Sequence, residues 1–109
     1  MIININIILD LIMLKLTEIK DFLIETKPII EQKYNITELG IFGSYVRGEQ
    51  TENSDLDILV DYQIIPSLLE LVDLEYYLID NLGIKVDIVT KKGLKPRIKE
   101  NILAEVIYI

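Results

Sequence analysis

The chain opens with an apolar stretch in which residues 2–8 partly alternate between apolar and polar side chains. This pattern fits either a strand or the start of an irregular helix. The stretch is shorter than the roughly 20 residues that span a bilayer, and it lacks the basic segment and cleavage site of a secretory signal. We therefore expect a cytoplasmic protein that does not bind membranes. Residues 1–15 form an N-terminal extension of open role, either a dimerisation element or a segment packed at an edge.

One small domain follows, residues 16–109, and it begins with a helix. Apolar side chains recur at spacings of three and four residues from Thr17, the expected N-cap, to Tyr34. Pro28 is expected to kink this helix, because proline has no backbone N–H and crowds the preceding turn. No linker rich in proline, glycine or serine divides the chain.

The next two predicted elements are strands. Residues 38–42 form a short strand, and a polar loop over residues 48–53 separates it from a second strand over residues 55–60. Side chains alternate along a strand, so Leu56, Ile58 and Val60 of the second strand share one face. Asp55 and Asp57 then share the opposite face.

The remaining pattern predicts a helix, a strand and a last helix. Ser67 and Glu70 have the spacing of a capping box at the start of a helix, and Gly83 is a suitable C-cap at its end. The later elements are a third strand over residues 84–89, a turn, and a helix over residues 96–106. The predicted fold is α/β (α+β), a small mixed sheet packed against helices in the order α-β-β-α-β-α.

Composition limits the chemistry and points to a partner. Half of the 109 residues are hydrophobic, which is more than a small domain buries easily, so we expect an apolar patch that contacts another chain, as a homodimer or a hetero-oligomer. A net charge of −7 argues against stable nucleic-acid binding. The chain has no cysteine and no histidine, so catalysis must use carboxylates, hydroxyls, lysine or arginine. Any metal should then be an oxygen-binding ion such as Mg²⁺.

Candidate phosphate-binding residues follow the first strand. Gly43 allows the backbone to approach a ligand closely, and the amides after it can bind phosphate. Ser44 adds a hydroxyl, and Arg47 brings a guanidinium that can bind the same anion. These three residues are the predicted phosphate-binding set.

Candidate metal ligands lie on the next strands. Asp55 and Asp57 are two residues apart, and carboxylates that close repel each other unless a cation lies between them. If the third strand lies beside the second, Asp87 points from the same face. Three such carboxylates suit two Mg²⁺ ions, which clamp the attacking and leaving oxygens of a displacement at phosphorus.

The combined pattern of Gly-Ser, ten residues, Asp-x-Asp and a later strand-borne Asp resembles the signature of the nucleotidyltransferases related to DNA polymerase beta. More closely, it resembles the minimal nucleotidyltransferase (MNT) family, over roughly residues 17–109. The segments that carry this resemblance are residues 40–49, 54–60, 86–89 and 95–108.

The resemblance implies a truncated polymerase-beta-like fold that binds Mg²⁺ and ATP. By position, the catalytic and metal-binding carboxylates are Asp55, Asp57 and Asp87. The triphosphate-binding pair is Gly43 and Ser44, and Arg47 is the basic position of the same motif.

MNT proteins are commonly the antitoxins of HEPN/MNT toxin–antitoxin pairs, so the resemblance also implies a partner. The MNT protein transfers AMP from ATP to a tyrosine of the HEPN ribonuclease toxin. Two alternatives stay open: a non-catalytic antitoxin that neutralises by binding, and the catalytic subunit of a two-chain enzyme that modifies a small molecule such as an antibiotic.

Some residues have weaker claims to function. A local basic cluster could contact phosphate or simply be a solvated turn and helix face, and Asp61 is expected to be a solvated strand end rather than a fourth ligand. Two adjacent tyrosines are expected in the core or in an interface. The basic cluster consists of Lys91, Lys92, Lys95 and Arg97, and the two tyrosines are Tyr76 and Tyr77.

Overall fold

The structure, a computed structural model, describes residues 4–109, with side chains for all of these except residues 9–14. The helices are α1 (Ile5–Tyr34), α2 (Ser44–Arg47), α3 (Leu68–Leu82) and α4 (Pro96–Glu105), and a short 3-10 turn spans Lys91–Gly93. The strands are β1 (Ile36–Phe42), β2 (Leu56–Tyr62), β3 (Val86–Thr90) and β4 (Ile107–Tyr108).

The four strands form one mixed sheet in the order β3-β2-β1-β4. Strands β2 and β3 are parallel, whereas β1 pairs antiparallel with both β2 and β4. The predicted fold class and order of the main elements are confirmed, with strand boundaries displaced by one or two residues. Helix α2 and strand β4 are additions. In the part of the chain that the structure describes, no helix is long and apolar enough to cross a membrane.

Helix α1 begins earlier than predicted. The Asn4 side chain accepts a hydrogen bond of 2.7 Å from the Asn6 N–H and caps a helix that starts at Ile5, so Thr17 lies inside the helix and is not its N-cap. The strand alternative is wrong for residues 5–8. The residues between Asn4 and Thr17 include neither proline nor glycine, so nothing in them ends the helix. The part of the N-terminal extension at residues 1–3 lies outside the described residues.

Pro28 lies within α1 and does not end it. The proline lacks the N–H that would bond to the carbonyl of Ile24, which is 57% exposed, so water can satisfy that carbonyl. The helix ends at Asn35, whose φ of 57° is left-handed, a conformation that asparagine tolerates well.

The main core lies between the sheet and the pair of helices α1 and α3. As predicted, Leu56, Ile58 and Val60 of β2 share this face, and residues of β1 and β3 join them. The buried strand residues of this core are Ile36, Leu39, Ile41, Leu56, Ile58, Val60 and Val86, and the helices contribute Ile19, Leu23, Ile30, Tyr34, Leu74 and Leu78.

Helix α4 covers part of the opposite face of the sheet. Phe42, Leu59 and Leu94 are buried there, and Ile102 of α4 packs against them. Asp57 belongs to this second face, because it alternates with the core residues of β2. The candidate site therefore lies at the margin between the sheet and α4.

The chain ends in a strand rather than in a longer helix. The predicted helix to Val106 stops at Glu105, and Ile107–Tyr108 pair with the free edge of β1. The carbonyl oxygen of Ile109 accepts a 2.6 Å hydrogen bond from Lys27 Nζ of α1. A two-residue strand has no periodicity of its own, so only its pairing with β1 reveals it.

The predicted capping box of α3 is confirmed. Ser67 Oγ accepts a hydrogen bond from the Glu70 N–H at 3.1 Å, and Glu70 Oε1 accepts one from the Ser67 N–H at 3.4 Å. Gly83 caps the other end with a left-handed φ of 69°. The cap satisfies backbone donors that the first helical turn leaves unpaired.

Replacing Ser67 by alanine should lower the free energy of unfolding by about 1 kcal/mol, because the cap is lost. Ser67→Asp should retain most of the stability, since aspartate is an equally good N-cap. Urea unfolding monitored by circular dichroism measures both variants. Equal destabilisation by alanine and aspartate would show that the cap is not the cause.

Candidate active site

Gly43 forms a tight turn between β1 and α2, directly against an acidic side chain. Its φ of 81° and ψ of −155° lie in a region that glycine adopts almost alone. A Cβ at this position would lie 2.1 Å from Asp57 Oδ2. Glycine is therefore required twice, for the backbone conformation and for the close approach of the carboxylate. Ser44, the next residue, begins α2 and is partly buried.

The structure brings two of the predicted metal ligands together. Asp57 of β2 and Asp87 of β3 are register partners in a parallel pair, so their side chains leave the same face of adjacent strands, about 5 Å apart at the backbone. Asp57 is partly buried and Asp87 is exposed. Asp55 is exposed and immediately precedes β2, which starts one residue later than predicted.

The electrostatic state of Asp57 reflects this crowding of acids. Its pKa is raised to about 6, chiefly because partial burial disfavours the charged form, and then because of the negative charges of Asp87 and Asp55. Arg47 lowers this pKa and offsets the effect in part. A cation among these carboxylates would remove the repulsion.

The donor chemistry of this site fits Mg²⁺, which prefers carboxylate oxygens. Among the residues that the structure describes, no three acidic side chains converge closely enough to hold an ion as they stand. Asp57 and Asp87 supply the adjacent pair, and Asp55 is near enough to act electrostatically on Asp57. Asp55 and Asp87 are both exposed, so their side chains are free to change rotamer.

Arg47 connects α2 to α4 through an acidic residue that the sequence analysis missed. Its Nη1 lies 3.0 and 2.8 Å from the two carboxylate oxygens of Glu105, and its Nε donates to Glu49 at 3.0 Å. The Gly43 N–H also donates to Glu105 Oε1. Hydrogen bonds to Glu105 first, and then to Glu49, raise the pKa of Arg47. No motif marks Glu105, because its role depends on where the end of α4 lies.

A cavity of about 340 Å³ opens between these groups and α4. That volume is in the range of pockets that bind small molecules. Its lining combines an apolar wall with the polar groups described above, and consists of Phe42, Gly43, Arg47, Asp57, Ile98, Asn101, Ile102 and Glu105.

Part of the predicted basic cluster is engaged elsewhere. Lys91 Nζ binds Glu38 at 3.1 Å, and Lys92 Nζ binds Asp61 at 2.6 Å, near the end of β2 that lies away from Asp57. The hydrogen bond from Lys92 is the main cause that lowers the pKa of Asp61. Asp61 thus lies within β2 and is ion-paired, with its side chain only 20% exposed, rather than solvated beyond the end of the strand.

Comparison with known proteins identifies the family. A family model described as a nucleotidyltransferase domain matches residues 23–109. The chain belongs to this family. It is also 48% identical, over 89% of its own length and 98% of the other chain, to a protein adenylyltransferase, MntA, of Thermococcus cleftensis. The predicted enzyme class, a nucleotidyltransferase, is confirmed.

Solved structures share the fold. One, of a minimal nucleotidyltransferase, superposes with a TM-score of 0.64 at 32% identity and covers 91% of this chain and 93% of the other. Another is a complex of the tri-AMPylated HEPN toxin of Shewanella oneidensis with an MNT antitoxin. It superposes with a TM-score of 0.57 at 18% identity and covers 89% of this chain and 70% of the other. The predicted resemblance to MNT proteins is confirmed.

The raised pKa of Asp57 predicts how stability depends on pH. Because the folded state binds this proton more tightly than the unfolded state, the contribution of Asp57 to stability should become more favourable as the pH falls through about 6 toward 4. Asp57→Asn removes the buried charge. Its melting temperature should therefore exceed that of the wild type at pH 8, and the difference should shrink between pH 6 and 4.

Asp61→Asn is the matched control of opposite sign, since the pKa of Asp61 is lowered by Lys92. It should melt below the wild type at pH 8, and the difference should disappear only as the pH falls below the usual aspartate pKa of about 4. Differential scanning fluorimetry from about pH 8 down to about pH 3 measures all three proteins. An Asp57→Asn variant that melts below the wild type at pH 8 would contradict the argument.

Proposed function

We propose that this protein transfers AMP from ATP to a tyrosine of a HEPN-type toxin, in a Mg²⁺-dependent reaction, and so acts as its antitoxin. The observation that carries the proposal is the placement of Asp57 and Asp87 as neighbours, with Gly43 packed against Asp57. Metal ligands and a phosphate-binding turn then share one site, which is the arrangement that nucleotidyl transfer needs.

In this mechanism Gly43, Ser44 and Arg47 bind the triphosphate. Asp55, Asp57 and Asp87 would hold Mg²⁺, which would supply charge stabilisation to the attacking and leaving oxygens. The tyrosine hydroxyl gives its proton to water or to a carboxylate of the site, and its oxygen forms a bond to the α-phosphorus. The bond between the α-phosphorus and the oxygen that bridges to the β-phosphate breaks, and pyrophosphate leaves. The apolar wall of the cavity beside Asp57 accommodates the nucleoside, and Asn101 can hydrogen-bond to it.

An exposed apolar surface supports a protein partner. We call this surface the β2–α3 patch. Four of its side chains are 70–81% exposed, those of Ile64, Ile65, Leu68 and Leu69. It lies beyond the end of β2, about 17 Å from Asp57 at the usual rise per residue, so a partner bound there would not fill the cavity. The patch consists of Ile64, Ile65, Leu68, Leu69, Val72 and Tyr76.

Two relatives support the acceptor class. The Thermococcus protein is named as a protein adenylyltransferase, and it matches this chain over nearly its whole length. The Shewanella complex contains an AMPylated HEPN toxin beside an MNT antitoxin. At 18% identity that complex shares the fold with this chain, and the toxin partner is transferred here as part of the proposal.

Two other functions use the same surfaces differently. A non-catalytic antitoxin would need the β2–α3 patch and not the carboxylates. A two-chain enzyme for a small molecule would use the carboxylates, with the partner completing the substrate pocket. The close fit of Gly43 to Asp57 favours chemistry, because simple occlusion would not require it.

Incubation with labelled ATP, Mg²⁺ and a HEPN protein encoded beside this chain should label the HEPN protein. The double variant Asp55→Asn/Asp57→Asn should lower labelling by roughly 100-fold or more, since the electrostatic stabilisation of the transition state is lost. Asp61→Asn, on the same strand but ion-paired away from the site, is the matched control and should label normally. Mass spectrometry should locate AMP on a tyrosine.

The outcomes separate the three functions. Neutralisation of the toxin by the double variant without any labelling would favour occlusion and reject the enzymatic mechanism. Label that appears only on a small molecule added with the partner would favour the two-chain enzyme. Label on the HEPN protein that persists in the double variant would show that these carboxylates are not the metal ligands.

Metal binding can be tested without turnover. Mg²⁺ with AMP-PNP should raise the melting temperature of the wild type by several degrees, since ligand at 100 times its Kd stabilises the folded state by about 2.7 kcal/mol. Asp57→Asn should lose most of this shift, whereas Asp61→Asn should keep it. Equal shifts in the three proteins would place the ion elsewhere.

A further inference from the structure

A carboxylate of α4 occupies the position next to Gly43 where an anion would bind. Glu105 Oε1 accepts a hydrogen bond from the Gly43 N–H, and the two Glu105 oxygens lie 3.0 and 2.8 Å from Arg47 Nη1. These donors are the ones that the proposed function assigns to the triphosphate. Carboxylate and phosphate oxygens are bound by the same charge-assisted donors.

The surroundings of Glu105 do not otherwise favour a negative charge. Glu105 lies close enough to Asp57 to contribute to the raised pKa of that residue, on a protein whose net charge is already −7. The carboxylate is held there by Arg47 and by the Gly43 amide, against the repulsion of the other acids. Any anion that binds these donors more strongly would therefore replace it.

Replacement requires only a side-chain movement. Glu105 is the last residue of α4, and its side chain is 23% exposed, so rotation about its side-chain bonds can carry the carboxylate toward solvent. The cavity of about 340 Å³ lies directly beside it and provides room for the nucleotide. The Arg47 guanidinium, 46% exposed on its side chain, then stays in place with its donors released.

We propose that Glu105 occupies a phosphate subsite in the nucleotide-free protein, and that the incoming polyphosphate displaces it. Glu105 is then a determinant of nucleotide affinity, and it holds Arg47 in position until the substrate arrives. This inference rests on the proposed function, which assigns Gly43 and Arg47 to phosphate binding. It predicts competition with phosphate groups alone, and none with the nucleoside part of the substrate.

Isothermal titration calorimetry of AMP-PNP and of tripolyphosphate, each with Mg²⁺, tests the competition in the full chain. Glu105→Ala removes the competitor and Glu105→Gln removes its charge, so both should bind these ligands roughly tenfold more tightly than the wild type. Glu100→Gln, an exposed glutamate on the same helix, is the matched control and should bind as the wild type does. Adenosine affinity should be the same in all four proteins.

Different failures have different meanings. Folded Glu105 variants that bind AMP-PNP as weakly as the wild type, or more weakly, would overturn the inference and leave the proposed function intact. An equal gain in adenosine affinity would also overturn it, because the effect would not come from the phosphate. Absence of AMP-PNP binding in every protein would reject the nucleotide site itself, and the inference with it.

A measurement on the wild type avoids dependence on the folding of variants. The side-chain carboxyl carbon of Glu105, assigned by triple-resonance NMR, should shift when tripolyphosphate and Mg²⁺ are added, because its hydrogen bonds to Arg47 are lost. The carboxyl carbon of Glu100 should not shift. A Glu105 signal that stays unchanged while the Gly43 amide moves would show that phosphate binds without displacing the carboxylate.

Discussion

The contact between the Gly43 backbone and the Asp57 carboxylate is the constraint on which the candidate site depends. A single added methyl group would place carbon 2.1 Å from Asp57 Oδ2, so no other residue allows the turn after β1 to approach β2 this closely. This contact puts a backbone N–H, a guanidinium and an acidic pair within one small volume. The antiparallel register that pairs Phe42 with Asp57 sets the distance between Gly43 and Asp57.

The concentration of negative charge has a structural consequence. Burial and two neighbouring carboxylates raise the pKa of Asp57, so negative charges repel one another at the candidate site. Elsewhere, Lys91 and Lys92 join the turn after β3 to acidic residues of β1 and β2. These pairs lie at the opposite end of the sheet from the repulsion, so they stabilise the scaffold without neutralising the site.

Local sequence signals predicted most of the scaffold, and they marked the candidate site residues that share a motif. Alternation along β2 showed which face Asp57 uses, and the capping box located the start of α3. The predicted start of α1 was wrong, because Thr17 resembles an N-cap whereas the helix is capped by Asn4 and begins at Ile5. Glu105 was missed for a different reason. Its partners are 58 and 62 residues away, and no spacing in the sequence records a contact formed only when α4 packs on the sheet.

The position of Glu105 follows from how the end of the chain is held. Strand β4 pairs with the edge of β1 immediately after α4, and Lys27 of α1 binds the carbonyl of Ile109. The last turn of α4 is thereby anchored beside Gly43, which β1 itself positions. Because one strand carries both the turn at Gly43 and the anchor for α4, the Glu105 carboxylate and its donors cannot move apart as rigid bodies. The proposed exchange of a nucleotide with Glu105 would therefore need a movement of this side chain alone, with the fold around it in place.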